Sequence, residues 1–197
     1  MTWHPIGPDF VFAPKNSPFK RLSRRNEYGR QGLVSSICVD PTDARTLYVA
    51  ERPSSGGTSA FRTTDDGASW TPIADSLQQT NPRLDPSCFA VNPDHPATIY
   101  MGTLADRGIY VSSNRGAAGS WGPRNAINGS VRNIIVDPRT SATLATTVLY
   151  AATTNGVFRS PDGGLTWAQV QTGDCWSLVA DMPATGTAHF HAPCAQP

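Results

Sequence analysis

The chain has 197 residues, enough for one domain with a substantial core and too few for two of ordinary size. With 39% hydrophobic and 16% charged residues it is neither a disordered polyelectrolyte nor a membrane protein, and 17 Gly plus 17 Pro indicate the many tight turns of an all-β fold. The formal net charge of +1 argues against a nucleic-acid partner bound by phosphate neutralisation.

The first thirty residues carry an uneven charge but no targeting signal. No apolar run approaches the roughly 20 residues of a membrane span, and Met1 is not followed by the core of a signal peptide. We therefore expect a soluble chain without an export signal, and its localisation stays open. Residues 15–30 form a basic segment. A solvated loop is its simpler interpretation, and docking of an acidic partner is the alternative. Its six cations, set against Glu27 alone, are Lys15, Lys20, Arg21, Arg24, Arg25 and Arg30.

Three segments of the chain repeat one pattern. Each holds an apolar run ending in Asp-Pro or Asn-Pro, a β-branched and aromatic run around a tyrosine, and a third run that enters a glycine-containing turn and closes on a tryptophan. The tryptophans Trp70, Trp121 and Trp167 lie 51 and 46 residues apart, which matches the roughly 40–50 residues of four-stranded propeller blades. The pattern predicts an all-β chain of β-propeller blades with four antiparallel strands each, over residues 34–73, 87–124 and 131–170.

Partial blades are predicted at both ends. Thr2–Ile6 repeats Ser69–Ile73 almost residue for residue, so residues 1–6 are predicted to form the fourth strand of a blade. Residues 175–197 resemble the first two strands of another blade. The chain is then either a four-bladed ring completed by its N-terminal strand or a fragment of a longer propeller. The ring would lack one strand and expose a sheet edge, so the fragment is favoured.

The turn that closes the first and third repeats carries a recognisable motif. Thr63 to Trp70 and Ser160 to Trp167 both read Ser/Thr-x-Asp-x-Gly-x-Ser/Thr-Trp. In this the chain resembles the Asp-box (BNR, sialidase-like) β-propellers, nearest in repeat style to xyloglucan-degrading glycosidases and sortilin-type propellers. The resemblance implies peripheral, structural turns. The residues expected to serve them are Asp65, Gly67, Trp70, Asn114, Gly116, Trp121, Asp162, Gly164 and Trp167.

Local chemistry gives a reason for this structural role. An aspartate at the third position accepts hydrogen bonds from its own turn, the glycine takes a backbone conformation that a Cβ disfavours, and the tryptophan is expected to fold back as a buried plug. The middle copy has Asn114 in place of aspartate and two extra residues between Gly116 and Trp121. Its turn is therefore expected to be looser.

A binding site is predicted on the face opposite these turns. If the strands alternate in direction, one face collects residues 51–60, 103–107 and 153–155 with the connections 7–33, 74–86 and 122–131, and binding residues concentrate on such loops. Guanidinium groups suit a sugar carboxylate, and the candidates are Arg30, Arg52, Arg107 and Arg132. A glycosidase needs two carboxylates beside the scissile bond, for which the weak candidates are Glu51, Asp85 and Asp106.

Two motifs expected of related enzymes are missing. The Arg-Ile-Pro of sialidases does not occur, and residues 48–57, YVAERPSSGG, keep the tyrosine and Gly-Gly of the xyloglucanase-like Tyr-Ala-Arg-Thr-Asp-x-Gly-Gly without its catalytic aspartate. No catalytic residue, metal or cofactor is therefore assigned. Zinc-site spacing is absent among the four cysteines, and their disulfide state stays open: Cys38, Cys88, Cys175 and Cys194.

Three functions remain compatible with the sequence. The first is a noncatalytic propeller that binds a glycan or a protein on the loop face, because the repeats are intact and no catalytic set is assembled. The second is a fragment of a glycoside hydrolase, sialidase-like or xyloglucanase-like. The third is an assembly scaffold whose basic segment docks a protein partner. Fold class alone does not choose among them.

Overall fold

The computed structural model describes residues 33–52, 60–81, 84–104, 108–124, 127–181 and 189–195, without the side chains of Leu33 and Arg52. They form three four-stranded antiparallel sheets and a two-stranded hairpin, with strands in sequence order within each sheet. The predicted all-β, β-propeller fold class is confirmed. Residues 1–6 lie outside the described part, and the assignment of the chain to one propeller domain or to a fragment stays a prediction.

The sheets follow one another along the chain. The first contains β1 Leu33–Asp40, β2 Asp43–Arg52, β3 Ala60–Thr63 and β4 Thr71–Pro72. The second contains β5 Pro86–Val91, β6 Ile99–Thr103, β7 Ile109–Ser112 and β8 Trp121–Pro123. The third contains β9 Val131–Val136, β10 Leu149–Thr153, β11 Gly156–Ser160 and β12 Ala168–Thr172.

The last described segment is a hairpin, and helix in the described ranges is confined to short connections. The hairpin is built from β13 Asp174–Cys175, β14 Val179–Asp181, β15 His189–His191 and β16 Cys194–Ala195, and a disulfide joins Cys175 to Cys194. A helix α1, Asp75–Thr80, and a 3-10 turn, Leu144–Thr146, lie between strands. No helix in the described ranges is long and apolar enough to cross a membrane.

The Asp-Pro and Asn-Pro pairs end the first strand of each sheet by capping the turn that follows. In each case the side-chain Oδ1 atom accepts a hydrogen bond from a backbone N–H of the turn. The distances are 2.9 Å from Thr42 N to Asp40, 2.9 Å from His95 N to Asn92, and 3.0 Å from Arg139 N to Asp137. A short polar side chain that bonds its own backbone two or three residues on favours such turns. The side chains of these residues therefore stabilise turns of the fold.

The core lies between successive sheets. Tyr48 and Ala50 of the first sheet pack on Phe89 and Met101 of the second, all with at most 5% exposure. A second cluster joins the second and third sheets, and a third joins the third sheet to the hairpin. Burial of apolar area between the sheets drives their stacking.

Side chains of the two matching turns bond within the turn. The carboxylate of Asp65 accepts from Ser69 N at 2.8 Å and Ser69 Oγ at 2.6 Å, and Asp162 accepts from Thr166 N and Oγ1 at the same two distances. Hydrogen bonds from Ser69, and then from Thr63, lower the pKa of Asp65 to about 2. Both carboxylates are thus occupied in their own turns.

The tryptophans of these turns are less buried than expected. Trp70 and Trp167 are half-buried, because each folds over its own turn and donates Nε1–H to the carbonyl of Gly67 or Gly164, at 3.0 and 3.1 Å. In the middle turn Trp121 is only 9% exposed and donates to Ile73 O at 2.6 Å, across to the preceding sheet. The buried plug is the tryptophan of the divergent copy.

The middle turn closes by different bonds. A contact between two hydroxyls, Ser112 Oγ and Ser120 Oγ at 2.7 Å, replaces the bonds to the carboxylate. The bond from Gly116 N to Ser112 Oγ at 2.8 Å is the same as in the other two turns. Arg115 takes the positive φ of 50° and donates to the buried Asp40 of the first sheet at 2.7 Å. Through Arg115 this turn contacts the neighbouring sheet.

Candidate functional site

One edge of the sheets carries the loops predicted to form a binding face. Leu104 N, after β6, donates to Asp85 O, before β5, at 2.9 Å, and Thr154 N, after β10, donates to Ser130 O, before β9, at 3.1 Å. In the second and third sheets the loop after the second strand thus touches the entry to the first. These described loops share one face, as the alternation of strands predicts.

Each first strand enters its sheet through a bulge. Pairing with the second strand skips one residue, which is Ser35 in β1, Ser87 in β5 and Arg132 in β9. In the hairpin Cys175 pairs with Cys194, and Val179 pairs with His191. The three residues 176–178 of one strand therefore lie opposite only two residues, 192–193, of the other. Alignment of Cys175-Trp176 with Val131-Arg132 puts Trp176 at the fourth copy of the bulge position. A bulge re-aims a side chain at a strand end.

The bulged side chains connect neighbouring sheets. Ser35 Oγ lies 3.2 Å from Ser87 O, Ser87 Oγ donates to Val131 O at 2.5 Å, and Arg132 Nη1 lies 3.4 Å from Cys175 O. Each residue thus reaches the entry of the next first strand. We call these entries, with their bulged residues, the rim.

The last step of the rim combines charge with an open aromatic ring. Arg132 Nη1 donates to Asp174 Oδ1 at 2.5 Å, and its guanidinium carbon lies 3.8 Å from the ring centroid of Trp176. The Arg132 side chain is 19% exposed, whereas Trp176 is 66% exposed. The arrangement offers an exposed aromatic surface beside hydrogen-bonding groups.

Sequence reasoning missed Trp176. The signal that could have found it is the alignment of Cys175-Trp176 with Val131-Arg132 and Pro86-Ser87 at the strand entries. The bulge position holds serine, serine, arginine and tryptophan, so residue type gives no repeat there. The pairing register identifies Ser35, Ser87 and Arg132 as equivalent, and the alignment then adds Trp176.

Two predicted carboxylates lie near the first step of the rim. Ser35 Oγ is 3.1 Å from Ala50 O and 3.2 Å from Ser87 O, so the strand ends that carry Glu51 and Asp85 are neighbours. Burial raises the pKa of Glu51 above its usual value. The remaining predicted site residues lie outside the described part: Arg30, Asp106, Arg107 and the side chain of Arg52.

The thiols and the other metal-ligating groups are not part of this site. Cys175 and Cys194 form the disulfide beside Trp176. Burial raises the pKa of Cys38 to about 11 and that of Cys88 to about 12, so neither supplies a thiolate at neutral pH. Within the described ranges no group of three or more His, Cys, Asp or Glu is placed to hold a metal ion.

Comparison with known proteins finds sequence similarity to xyloglucanases. The chain is 27% identical over 132 residues to the "Xyloglucanase" of Hypocrea jecorina, across 64% of this chain and 15% of that protein. It is 33% identical over 152 residues to the "Probable oligoxyloglucan-reducing end-specific xyloglucanase" of Neosartorya fischeri, across 70% and 17%. The chain is a β-propeller related to xyloglucanases. No protein-family model matches it.

A solved structure agrees with this relationship. An ancestral GH74 enzyme superimposes with a TM-score of 0.57 at 25% identity, over 76% of this chain and 20% of the enzyme. The chain spans about a sixth of the length of the two curated relatives, 15% and 17%. The comparison supports a related propeller and leaves the function of the whole protein to be proposed.

Proposed function

We propose that this chain binds xyloglucan on its loop face as part of a xyloglucanase-type glycoside hydrolase. The observation that carries the proposal is the rim at Arg132 and Trp176, where a guanidinium held by Asp174 lies against an exposed aromatic ring. Similarity to two xyloglucanases over 64% and 70% of the chain supports the choice of polysaccharide. Binding by rim residues, unlike hydrolysis, does not require a pair of catalytic carboxylates.

Arg132 is the predicted ligand-binding arginine whose side chain the structure describes. The guanidinium makes three hydrogen bonds, two to the carboxylate of Asp174 and one to the carbonyl of Cys175. A guanidinium has five N–H donors, so it can still donate to sugar hydroxyls. Since Asp174 neutralises its charge, the site favours a neutral ligand such as xyloglucan over the carboxylated sugar of a sialidase.

Affinity electrophoresis through a native gel containing xyloglucan tests this proposal. The wild-type chain is expected to migrate more slowly than in a gel without polysaccharide, and Arg132→Ala is expected to lose most of that retardation. Arg45→Ala is the matched control, because Arg45 is an exposed arginine paired with Asp66 away from the rim. Equal migration of the wild type in both gels would contradict binding.

A second candidate function is hydrolysis by the chain itself. Glu51 favours it, because a carboxyl group whose pKa is raised by burial can serve as a general acid. Asp85 lies on the neighbouring strand entry, as a second carboxylate would have to. Release of a chromogenic aglycone from a xyloglucan oligosaccharide, abolished by Glu51→Gln, would support hydrolysis. Equal release by the variant would exclude Glu51.

A further inference from the structure

We propose that Asn128 is a site of spontaneous deamidation and that Asn155 supplies the hydrogen bond that promotes it. The chain contains two Asn-Gly pairs, Asn128-Gly129 and Asn155-Gly156. An asparagine before glycine is prone to this reaction, because glycine is conformationally free and has no Cβ beside its nitrogen. The structure brings the two pairs together, since Asn155 Nδ2 donates to Asn128 Oδ1 at 2.8 Å. The site is independent of the proposed function.

The reaction needs only the Asn128-Gly129 pair and water. The backbone nitrogen of Gly129 bonds to Cγ of Asn128, the Cγ–Nδ2 bond breaks, and ammonia leaves with the proton of the Gly129 amide. The product is a five-membered succinimide ring. Water then opens one of the two imide C–N bonds, which yields either aspartate or isoaspartate at position 128.

The bond from Asn155 lies where this reaction develops negative charge. As the nitrogen attacks, the Oδ1 atom of Asn128 becomes an oxyanion, and a hydrogen-bond donor already in place stabilises such an atom. Asn128 is exposed and lies in a bend outside the strands, so water can reach it and ammonia can leave. The hydrogen bond therefore polarises the amide that is attacked without burying it.

The fold favours glycine after Asn128. Gly129 has a φ of 89°, and a Cβ at this residue would lie 2.7 Å from Thr154 Oγ1. Thr154 Oγ1 is itself held in place, because it accepts from Ser130 N at 3.0 Å. A larger residue at position 129 is thus disfavoured both by backbone conformation and by contact. The loop therefore keeps its reactive pair.

The same dipeptide at Asn155 is held in a conformation that opposes ring closure. Asn155 N donates to Thr153 Oγ1 at 3.0 Å, and its carbonyl accepts from Gln169 Nε2 at 2.6 Å. Gly156 is the first residue of β11 and pairs with both neighbouring strands. Closing the succinimide ring changes the backbone dihedrals of both residues, which requires local opening of these bonds. Asn128 is therefore the reactive member of the two.

Deamidation at Asn128 changes the loop face beside the rim. It places a negative charge at position 128, and isoaspartate adds one backbone atom to the loop. On one side of the loop Ile127 is 3% exposed in the cluster that joins the second and third sheets. On the other side the carbonyl of Ser130 accepts from Thr154 N at 3.1 Å. A longer chain between these two anchored points disturbs the entry to β9.

Peptide mapping by mass spectrometry after incubation at mildly alkaline pH tests the proposal. Trypsin separates the two pairs, because cleavage at the arginines leaves Asn128 in residues 125–132 and Asn155 in residues 140–159. We expect the conversion of amide to acid, localised by fragmentation, to be about tenfold faster or more at Asn128 than at Asn155. An isoaspartyl methyltransferase should label the first peptide.

Variants at Asn155 test the role of the donor. Asn155→Ala and Asn155→Asp both remove it, and each should slow deamidation at Asn128 by about 2- to 10-fold, the effect of one hydrogen bond. Thr146→Ala changes an exposed residue in the 3-10 turn between β9 and β10, and it should react at the wild-type rate. Thermal melts of each variant check that the sheets remain folded.

The outcomes are distinct. In the urea-unfolded chain the two Asn-Gly pairs should react at similar rates, because neither keeps its hydrogen bonds. Asn128 that remains an amide in the folded chain, or that reacts no faster than Asn155, would overturn the proposal. An unchanged or faster rate at Asn128 in both folded Asn155 variants would overturn the role of the donor.

Discussion

At the scale of the residue, repetition separates structural from functional side chains. Asp65 and Asp162 occupy equivalent turns, and each is satisfied by hydrogen bonds from the serine or threonine four residues on. A carboxylate engaged in this way in both turns that carry it is poorly suited to acid–base chemistry on a substrate. The bulge position changes from copy to copy, and it is there that Arg132 and Trp176 occur.

Trp121→Ala is expected to destabilise the fold more than Trp70→Ala. Loss of a buried tryptophan costs about 3–5 kcal/mol, and Trp121 also loses its bond to Ile73 O across the sheets. Trp70 is half-buried over its own turn, so its loss should cost about 1–2 kcal/mol. Urea unfolding of both variants measures the difference. A larger loss for Trp70→Ala would show that the half-buried rings carry the stability.

At the scale of the element, the hairpin β13–β16 combines a small core with a covalent link. Leu178 and Cys175 are buried against Ala152 and Val157 of the third sheet, while Val179 is 62% exposed. Two strands with one packed face are marginal on their own. The disulfide therefore contributes much of the order of the segment that carries Trp176.

Replacing both disulfide cysteines by serine should loosen the hairpin selectively. Closure of a loop with a sequence separation of 19 residues stabilises by about 2–4 kcal/mol. We expect hydrogen exchange in the Cys175→Ser, Cys194→Ser variant to accelerate over 174–181 and 189–195, while β5 and β6 stay protected. Uniform acceleration throughout the chain would instead mean that the hairpin stabilises all of the sheets.

The sequence predicts the strands well and the rim poorly, for physical reasons. Turn residues and apolar runs repeat because every sheet must close the same turns and bury the same face, so Trp70, Trp121 and Trp167 reveal the period. The bulge is a property of pairing register, which depends on two strands at once. The half-burial of Trp70 and Trp167 depends on whether the ring turns to its own glycine or to the next sheet, and the motif does not specify that.

At the scale of the whole molecule, stacked sheets are also joined by polar bonds. The side chain of Arg115, in the turn of the second sheet, pairs with Asp40 of the first sheet at 2.7 Å. The backbone carbonyl of Arg115 also accepts a hydrogen bond from Arg62 Nη1 at 2.9 Å. The Asp40 side chain is fully buried there. Asn92 of the second sheet donates in the same way to Ser141 O of the third, at 3.2 Å. These bonds set how one sheet sits on the next.

Arg115→Met should weaken the docking of the first two sheets. The buried carboxylate of Asp40 keeps its bonds to Thr42 and loses its cation, which costs about 1–3 kcal/mol. Arg45→Met is the control, since Arg45 and Asp66 are 64% and 68% exposed and such pairs contribute about 0–1 kcal/mol. Chemical denaturation compares them. Equal stability of the two variants would mean that Asp40 does not need its partner.

The same stacking explains an apolar stripe on β1. Ile37 is 50% exposed, whereas Phe89 and Ile134, at the equivalent position in β5 and β9, are 5% and 4% exposed against the preceding sheet. Val39 is 51% exposed and its counterpart Val91 7%. The first sheet thus presents the kind of face that the other two bury.

Hydrogen exchange with and without a xyloglucan oligosaccharide tests most directly whether this propeller binds the polysaccharide on its loop face. The account predicts slower exchange on ligand addition at residues 131–133 and 174–178, where the rim holds Arg132 and Trp176, and no change at the opposite turns 41–42, 93–95 and 138–140. Protection confined to those opposite turns, or no protection at a saturating concentration, would contradict it.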